Sequence, residues 1–236
     1  MSGSNSAGRT APDAGDQNTG SSHAADLEAA RELKKALRHE AREHRSTADP
    51  AELAHSEPLI RARVLDLVRG RIPAQSVIAC YLSTDNEPDT HRLVVSLTEM
   101  GFRVMVPYMR GGPAADDIDW AWFQGPDKLE RGALGIDRPT GSPLGIESLG
   151  EAQVVIMPGL AGGRDGSRLG MGAGWYDRAL THCRPGALRW LLLYDDEVRD
   201  SLPQGAHDQR MDVIVTPRRT IVAADTDRQG RGLARD

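Results

Sequence analysis

Apolar residues along this chain follow two rhythms. From about 26 to 46 they recur every three or four positions. Ala30, Leu33, Leu37 and Ala41 fall in one narrow sector of a helix that turns about 100° per residue. A second helix is expected over about 57–70, with Ser56 as its N-cap and Pro58 in its first turn. The rhythm then changes. "SVIACYL" (76–82), "FRVMVPYM" (102–109), "AQVVIMP" (152–158), "RWLLLY" (189–194) and "DVIVTP" (212–217) are short apolar runs bounded by polar residues, the pattern of buried strands. "IDWAWF" (118–123) alternates and predicts a further strand. Between the runs lie helical stretches. One is capped by Thr90, runs to Met100 and is ended by Gly101, and another is "WYDRALTHC" at 175–183. Strands alternating with helices predict an α/β domain of three layers, α/β/α, around a mostly parallel sheet.

The ends of the chain lack either rhythm. Residues 1–25 are rich in Ser, Gly, Ala, Asn and Asp and are expected to form a disordered tail, with a flexible C-terminal tail over 224–236. A single α/β domain is therefore expected over 26–223. Composition narrows its class. The 236 residues carry a formal charge of −5, which argues against a protein that coats nucleic acid; any anion site must be a local cluster. No apolar run approaches the ~18 residues of a membrane span. The two cysteines, Cys80 and Cys183, lack a zinc or disulfide spacing and read as reduced thiols. The expectation is a cytoplasmic monomer that acts on small molecules, with neither nucleic acid nor membrane as partner.

Two stretches carry charge that folding alone does not require. On the first helix Arg31, Lys34, Lys35, Arg38, Arg42 and Arg45 fill the sector beside the apolar one. Such a stripe either faces solvent or neutralises an anion. The second stretch, "PGLAGGRDGSRLGMGAGWYDR" (158–178), holds seven glycines among Arg164, Asp165, Arg168, Asp177 and Arg178. It follows a buried strand, where ligands of α/β sheets bind. Glycines let backbone N–H groups approach an anion, and arginines add charge-assisted bonds. "GWYD" at the following helix adds a flat wall and a carboxylate. The stretch is neither of the standard phosphate-loop patterns, so it is either an unfamiliar nucleotide or phosphate site or a flexible surface loop.

The segment "MPGLAGGRDGSRLGMGAGWYDRAL" resembles the signature of the 5-formyltetrahydrofolate cyclo-ligase (methenyltetrahydrofolate synthetase) family, P-G-L-A-F-D-x-x-G-x-R-L-G-x-G-G-G-Y-Y-D-R. "KKALRHEAREHR" (34–45), "DNEPDT" (85–90) and "AHDQRMDVIVT" (206–216) resemble three more family segments in the same order. The resemblance implies a three-layer fold related to sugar-phosphate isomerase and coenzyme A transferase domains. It also implies ATP-dependent closure of 5-formyltetrahydrofolate to 5,10-methenyltetrahydrofolate, with ADP and phosphate released. By position it implies catalytic roles for Lys34, Arg38 and Arg168. The ATP site would comprise Lys34, Lys35, Arg38 and the run Arg168, Leu169, Gly170, Met171, Gly172, Ala173, Gly174, Trp175 and Tyr176. Glu87, with Trp175 and Tyr176, would hold the folate. Asp177 and Asp208 would bind Mg2+. The chain departs from the signature at Gly162 and Gly163 (Phe-Asp in the family), at Ala173 (Gly) and at Trp175 (Tyr), which bears on the shape of the folate pocket. An ATP-using relative acting on another formyl or amide substrate, and a non-catalytic folate- or nucleotide-binding protein, are the alternatives.

Overall fold

The structure is a computed structural model that describes residues 19–84, 86–109, 118–132 and 135–223. Asp85 and the expected tails before 19 and after 223 lie outside the described residues. Among the described residues twelve strands run in chain order: β1 (Val77–Cys80), β2 (Arg103–Tyr108), β3 (Asp119–Trp122), β4 (Leu129–Arg131), β5 (Asp137–Pro139), β6 (Ala152–Pro158), β7 (Ala161–Gly163), β8 (Arg168–Leu169), β9 (Leu188–Leu192), β10 (Val198–Arg199), β11 (Val213–Val215) and β12 (Thr220–Val222). Four α-helices join them: α1 (Thr19–Thr47), α2 (Pro50–Arg71), α3 (His91–Glu99) and α4 (Trp175–Ala179).

Seven strands form the main sheet in the order β12-β11-β9-β6-β1-β2-β3. The five inner strands are parallel, and β3 and β12 close the edges antiparallel. Parallel strands are covered on both faces, which is why their sequences are unbroken apolar runs. In β1, Ile78 and Cys80 pack with Val154, Ile156, Trp190 and the α2–α3 residues Ile60, Val64, Val68, Leu93 and Leu97. Val77 and Ala79 face the other way, toward Val155, Met157, Leu191 and Leu149. That second face is covered by short elements, namely α4, the 3-10 turns Leu180–His182 and Ile146–Glu151, and loops. The expected three layers are present, the second helical layer being thin.

Helix α1 covers neither face. Its Leu37 and Ala41 pack on Ala161 and Leu169 of a separate three-stranded sheet, β10-β7-β8, and on the adjoining Leu160 and Leu202. This small sheet arises within the glycine-rich stretch: β7 and β8 form an antiparallel hairpin around residues 164–167. Asp165 Oδ1 accepts from the Ser167 backbone N–H at 3.0 Å and from its hydroxyl at 2.5 Å, closing the turn.

Several boundaries differ from the sequence expectation. Helix α1 begins at Thr19 rather than 26, because extending a formed helix needs only adequate propensity, not an apolar face. Helix α2 begins at Pro50 rather than 57: Asp49 Oδ1 accepts from the Ala51 N–H at 2.9 Å, and a Pro at N1 completes a strong start signal. Ser56 is therefore inside the helix, donating to the Glu52 carbonyl, and Pro58 is a helix-interior proline. Thr90 precedes α3 but does not cap it. Asp89 Oδ1 takes the His91 N–H, and the Thr90 hydroxyl donates to the Tyr81 carbonyl. Gly101 ends α3 as expected, at φ +87°. The stretch 175–183 splits into α4 and a 3-10 turn.

Candidate active site

The chain moves from β1 to β2 on one side and returns through β6 on the other, so the sheet's topological switch lies between β1 and β6. Loops leaving the carboxyl ends of two such strands diverge and leave a crevice. A cavity of about 340 Å3 occupies this place, within the size range of small-molecule sites. Tyr81, Leu82, Thr84 and Glu87 follow β1, Pro158 ends β6, and the run Gly170–Asp177 with Arg168 supplies another wall. Lys34 and Arg38 enter from α1, and Asp208 from the turn before β11. Pro107 and Met109, at the end of β2, and Ile118 and Ile136, just before β3 and β5, add an apolar wall. One part of the pocket is thus charged and the other apolar.

The basic stripe of α1 divides by helical position. Lys34, Arg38, Arg42 and Arg45 recur at intervals of four, four and three, so they share one face. Lys34 Nζ donates to Asp208 Oδ2, Arg38 Nε to the Gly170 carbonyl at 2.9 Å, and Arg42 Nη2 to the Met171 carbonyl at 2.7 Å. Arg45 is buried. Its Nε meets Glu197 Oε1 at 2.5 Å, and its Nη2 reaches Glu197 Oε2 at 2.9 Å and the Gly159 carbonyl at 2.6 Å. Arg31 and Lys35 point outward, beside Glu28 and Glu32. Lys35 therefore does not belong to the pocket, contrary to the sequence expectation, because one residue after Lys34 the helix has already turned away.

The short loop 170–174 is built for close approach. Gly172 has φ +111° and Gly174 φ +71°, conformations that a side chain disfavours. Its carbonyls are held by three guanidiniums: Arg38 of the pocket wall on Gly170, Arg42 on Met171, and Arg178 Nη1 on Ala173 at 3.0 Å. A peptide's C=O and the following N–H point in opposite directions, so each gripped carbonyl fixes the direction of the next N–H, those of Met171, Gly172 and Gly174. Arg42 and Arg178, named in the basic stripe and the glycine-rich stretch, received no role from the family resemblance. The four-residue spacing of Arg38 and Arg42 on one helix was the available signal.

Arg168 lies in β8 with its side chain in the pocket wall, where Nη2 donates to Asp177 Oδ2 at 2.9 Å and Nη1 to the Pro158 carbonyl at 3.3 Å. Its neighbour Leu169 points to the opposite face and is buried against α1. Strand alternation thus removes Leu169 from the pocket that the resemblance assigned it to. Arg164 also leaves the site, sitting at the far end of the hairpin within 3.8 Å of Asp200. Asp177 Oδ1 accepts from the Gln209 N–H at 3.2 Å, which brings the Asp177 and Asp208 segments together. Both carboxylates line the pocket, each already facing a cation: Arg168 for Asp177 and Lys34 for Asp208.

Glu87 sits in a turn after β1, following Asn86 at φ +65°. Its Oε2 accepts from the Thr84 N–H at 2.9 Å and hydroxyl at 3.1 Å. Burial pushes its carboxyl above the usual range, partly opposed by those bonds and by Arg45. Tyr176 lies over this region, its ring 5.8 Å from the Arg168 guanidinium, and burial raises its hydroxyl well above the usual phenol value. Trp175 and Tyr176 both touch the core and line the pocket, so each serves as wall and packing together.

A parallel α/β sheet with a charged glycine-rich pocket at its switch point defines the class: an α/β protein whose pocket sets charged side chains beside an apolar cleft. The pattern of the 5-formyltetrahydrofolate cyclo-ligase family matches residues 30–217. A 5-formyltetrahydrofolate cyclo-ligase of Mycolicibacterium smegmatis is 37% identical over 147 residues, covering 62% of this chain and 76% of that protein. One from Escherichia coli is 29% identical over 141 residues, covering 59% and 77%. Among solved structures, the 5,10-methenyltetrahydrofolate synthetase of Aquifex aeolicus superposes with a TM-score of 0.65 at 26% identity, over 86% of this chain and 97% of that one. The synthetase of Mycoplasma pneumoniae shares the fold, with a TM-score of 0.61 at 19% identity over 78% and 98%. The chain belongs to the 5-formyltetrahydrofolate cyclo-ligase family.

The departures from the family signature fall in two places. Gly162 and Gly163 lie in β7, buried and outside the pocket. A Cβ on Gly162 would meet Leu191 Cδ2 at 2.7 Å and Leu193 Cδ1 at 2.9 Å, so these leucines fill the space an aromatic would take. A Cβ on Gly163 would meet Asp165 Oδ1 at 2.3 Å, so the acid displaced by two residues fills the room there. Ala173 and Trp175 do line the pocket.

Proposed function

We propose that the protein is a 5-formyltetrahydrofolate cyclo-ligase that consumes ATP. The observation that carries the reading is the single pocket in which Lys34, Arg38, Arg168 and the 170–174 loop adjoin an apolar cleft holding Glu87. The charged part suits a triphosphate, and the apolar part, with Trp175 and Tyr176, suits a flat pterin. In the reaction the γ-phosphoryl group passes to the formyl oxygen. Nitrogen 10 then bonds to the formyl carbon and loses its proton, and the carbon–oxygen bond breaks. The formyl oxygen leaves in phosphate, and 5,10-methenyltetrahydrofolate remains.

Such a transfer needs positioning and charge neutralisation more than a protein nucleophile. Lys34, Arg38 and Arg168 are assigned to the phosphate oxygens, and the loop N–H groups to the same oxygens from the other side. Glu87, held by Thr84, orients the folate through a carboxylate that burial keeps less acidic than usual. Asp177 and Asp208 are assigned to Mg2+. The donor set fits: two carboxylates on the pocket wall, with Asp208 meeting Lys34 and the Gly205 N–H through Oδ2. Mg2+ would keep water and phosphate oxygens as its other ligands. When bound, that ion would draw charge from the phosphate oxygens during transfer.

No helix of the described residues is long and apolar enough to cross a membrane, and Cys80 and Cys183 are both free thiols. Our reading is of a cytoplasmic monomer acting on two small molecules, which sedimentation checks directly. For the activity, purified protein is mixed with 5-formyltetrahydrofolate and Mg-ATP while the near-ultraviolet absorbance of the methenyl product is followed. Absorbance that grows only when all components are present supports the reading; none under any condition rejects it.

A further inference from the structure

Four charged side chains of the pocket are cross-paired. Lys34 of α1 holds Asp208 of the turn before β11, and Arg168 of β8 holds Asp177 of α4. These pairs are sheltered: the side chains are 14% and 23% exposed in the first, 4% and 22% in the second. Charges in such places are screened less than at an open surface. The two pairs differ in how firmly they are braced. Asp177 uses both oxygens, on Arg168 and the Gln209 N–H, and Arg168 also reaches the Pro158 carbonyl. Asp208 uses Oδ2 alone, on Lys34 and the Gly205 N–H. Lys34 and Asp208 are therefore the pair freer to change partners.

Consider a triphosphate arriving alone. The Lys34 ammonium has further N–H donors to offer, but a triphosphate that takes them comes to rest beside the Asp208 carboxylate, anion against anion. A divalent cation arriving alone meets the mirror cost: taking Asp208 leaves the Lys34 ammonium beside a double positive charge. Both costs disappear when the two arrive together. Phosphate oxygens take the ammonium, the metal takes the carboxylate, and every charge again has a partner.

We infer that the Lys34–Asp208 pair makes the pocket selective for the metal–nucleotide complex over either component alone. This rests on the nucleotide reading given above, and adds to it a specificity-determining role for the pair. Coupling of this kind is reciprocal, and typically changes affinity by about 5–150-fold. The consequence has an unusual sign. Asp208→Asn removes the competing charge and frees Lys34, so it should tighten metal-free ATP while weakening Mg-ATP. Lys34→Gln should tighten a divalent cation in the absence of nucleotide.

The test is equilibrium binding and needs no turnover. ATP affinity is measured by calorimetry, with magnesium and with chelator, for the wild-type protein and Asp208→Asn. Mn2+ affinity without nucleotide is measured by paramagnetic resonance for wild type and Lys34→Gln. We expect wild type to bind Mg-ATP well above metal-free ATP, and Asp208→Asn to bind metal-free ATP about tenfold tighter than wild type, a change within that coupling range. Lys34→Gln should gain Mn2+ affinity. A folded Asp208→Asn that binds metal-free ATP no better than wild type overturns the proposal. If that variant fails to fold, the Mn2+ comparison decides, and no gain in Lys34→Gln overturns it. Wild type that binds neither form of ATP rejects the nucleotide reading itself, an outcome distinct from failure of the exchange alone.

Discussion

Arg42 Nη2 donates to the Met171 carbonyl at 2.7 Å, joining two residues 129 positions apart. The bond fixes the middle of the 170–174 loop to α1 without placing Arg42 itself in the pocket. A guanidinium there sets the orientation of peptide groups that would meet phosphate. Arg42→Met should therefore raise the KM for ATP about fivefold, the loss of a bond worth about 1 kcal/mol, and leave the KM for folate unchanged. Arg42→Lys should recover part of the effect. Initial-rate kinetics with each substrate varied in turn check this. A rise confined to the folate KM would contradict it.

Arg45 and Glu197 form a buried pair, each about 5% exposed, that ties the end of α1 to the turn before β10. Removing one partner strands the other charge away from water. Arg45→Met should cost about 3–5 kcal/mol in urea unfolding, whereas Arg45→Met combined with Glu197→Leu should recover much of the loss. A double variant no more stable than the single one would show that the bond to the Gly159 carbonyl matters more than the charge pair.

The sheet's alternation of apolar runs and helices is plain in the sequence because parallel strands are buried on both faces and leave few other choices. Strand β6 has the expected bounds, 152–158. The small sheet is not legible in the same way. Strands β7, β8 and β10 are two or three residues long, too short for any period, and β7 is built of Ala161, Gly162 and Gly163. Much of the site was legible because Arg168, Gly170–Asp177, Lys34, Arg38, Glu87 and Asp208 belong to segments of a family signature, and all line the pocket. A linear match cannot tell which way a side chain points, so Lys35 and Leu169 were assigned to a pocket from which helix and strand geometry exclude them. The apolar wall of Pro107, Met109, Ile118 and Ile136 has no local signature, since only tertiary packing gathers those residues.

His91, at the start of α3, ties the segment after β1 to β5. Its Nδ1 is 3.0 Å from Asp89 Oδ1 and 3.2 Å from the Ser83 hydroxyl, and its Nε2 is 3.5 Å from Asp137 Oδ2 on β5. The hydrogen bond and charge of Asp89, with Asp137 behind them, raise its affinity for a proton above the ordinary 6.5. The stabilisation is fully present below 6.5 and is lost as pH rises through the higher folded value. Asp89 is held down to about 2, so its own contribution disappears only in strong acid. His91→Gln should lower the Tm below 6.5 and have little effect in alkaline buffer. Thermal unfolding of both proteins across pH tests this, and a deficit that grows with pH would reverse the sign argued here.

Gly162 faces Leu191, Leu193 and Ile214, all fully buried. A methyl group would sit 2.7–3.1 Å from their side-chain ends. Gly162→Ala should therefore cost about 1–3 kcal/mol by overpacking, while turnover of the folded protein is kept, because the residue lies outside the pocket. Denaturant melts paired with rate measurements check both halves. Unchanged stability would mean that the leucines yield more readily than a packed core allows.

The central claim is that one phosphoryl group from ATP is spent for each ring closed, in the pocket that adjoins β1 and β6. The direct measurement is the ratio of ADP to 5,10-methenyltetrahydrofolate formed by the purified protein from 5-formyltetrahydrofolate and Mg-ATP, taken at several times in the same reaction. The account predicts a constant ratio of one to one, with neither product formed when either substrate is omitted. ADP released without methenyl product, or methenyl product formed without ADP, would contradict it.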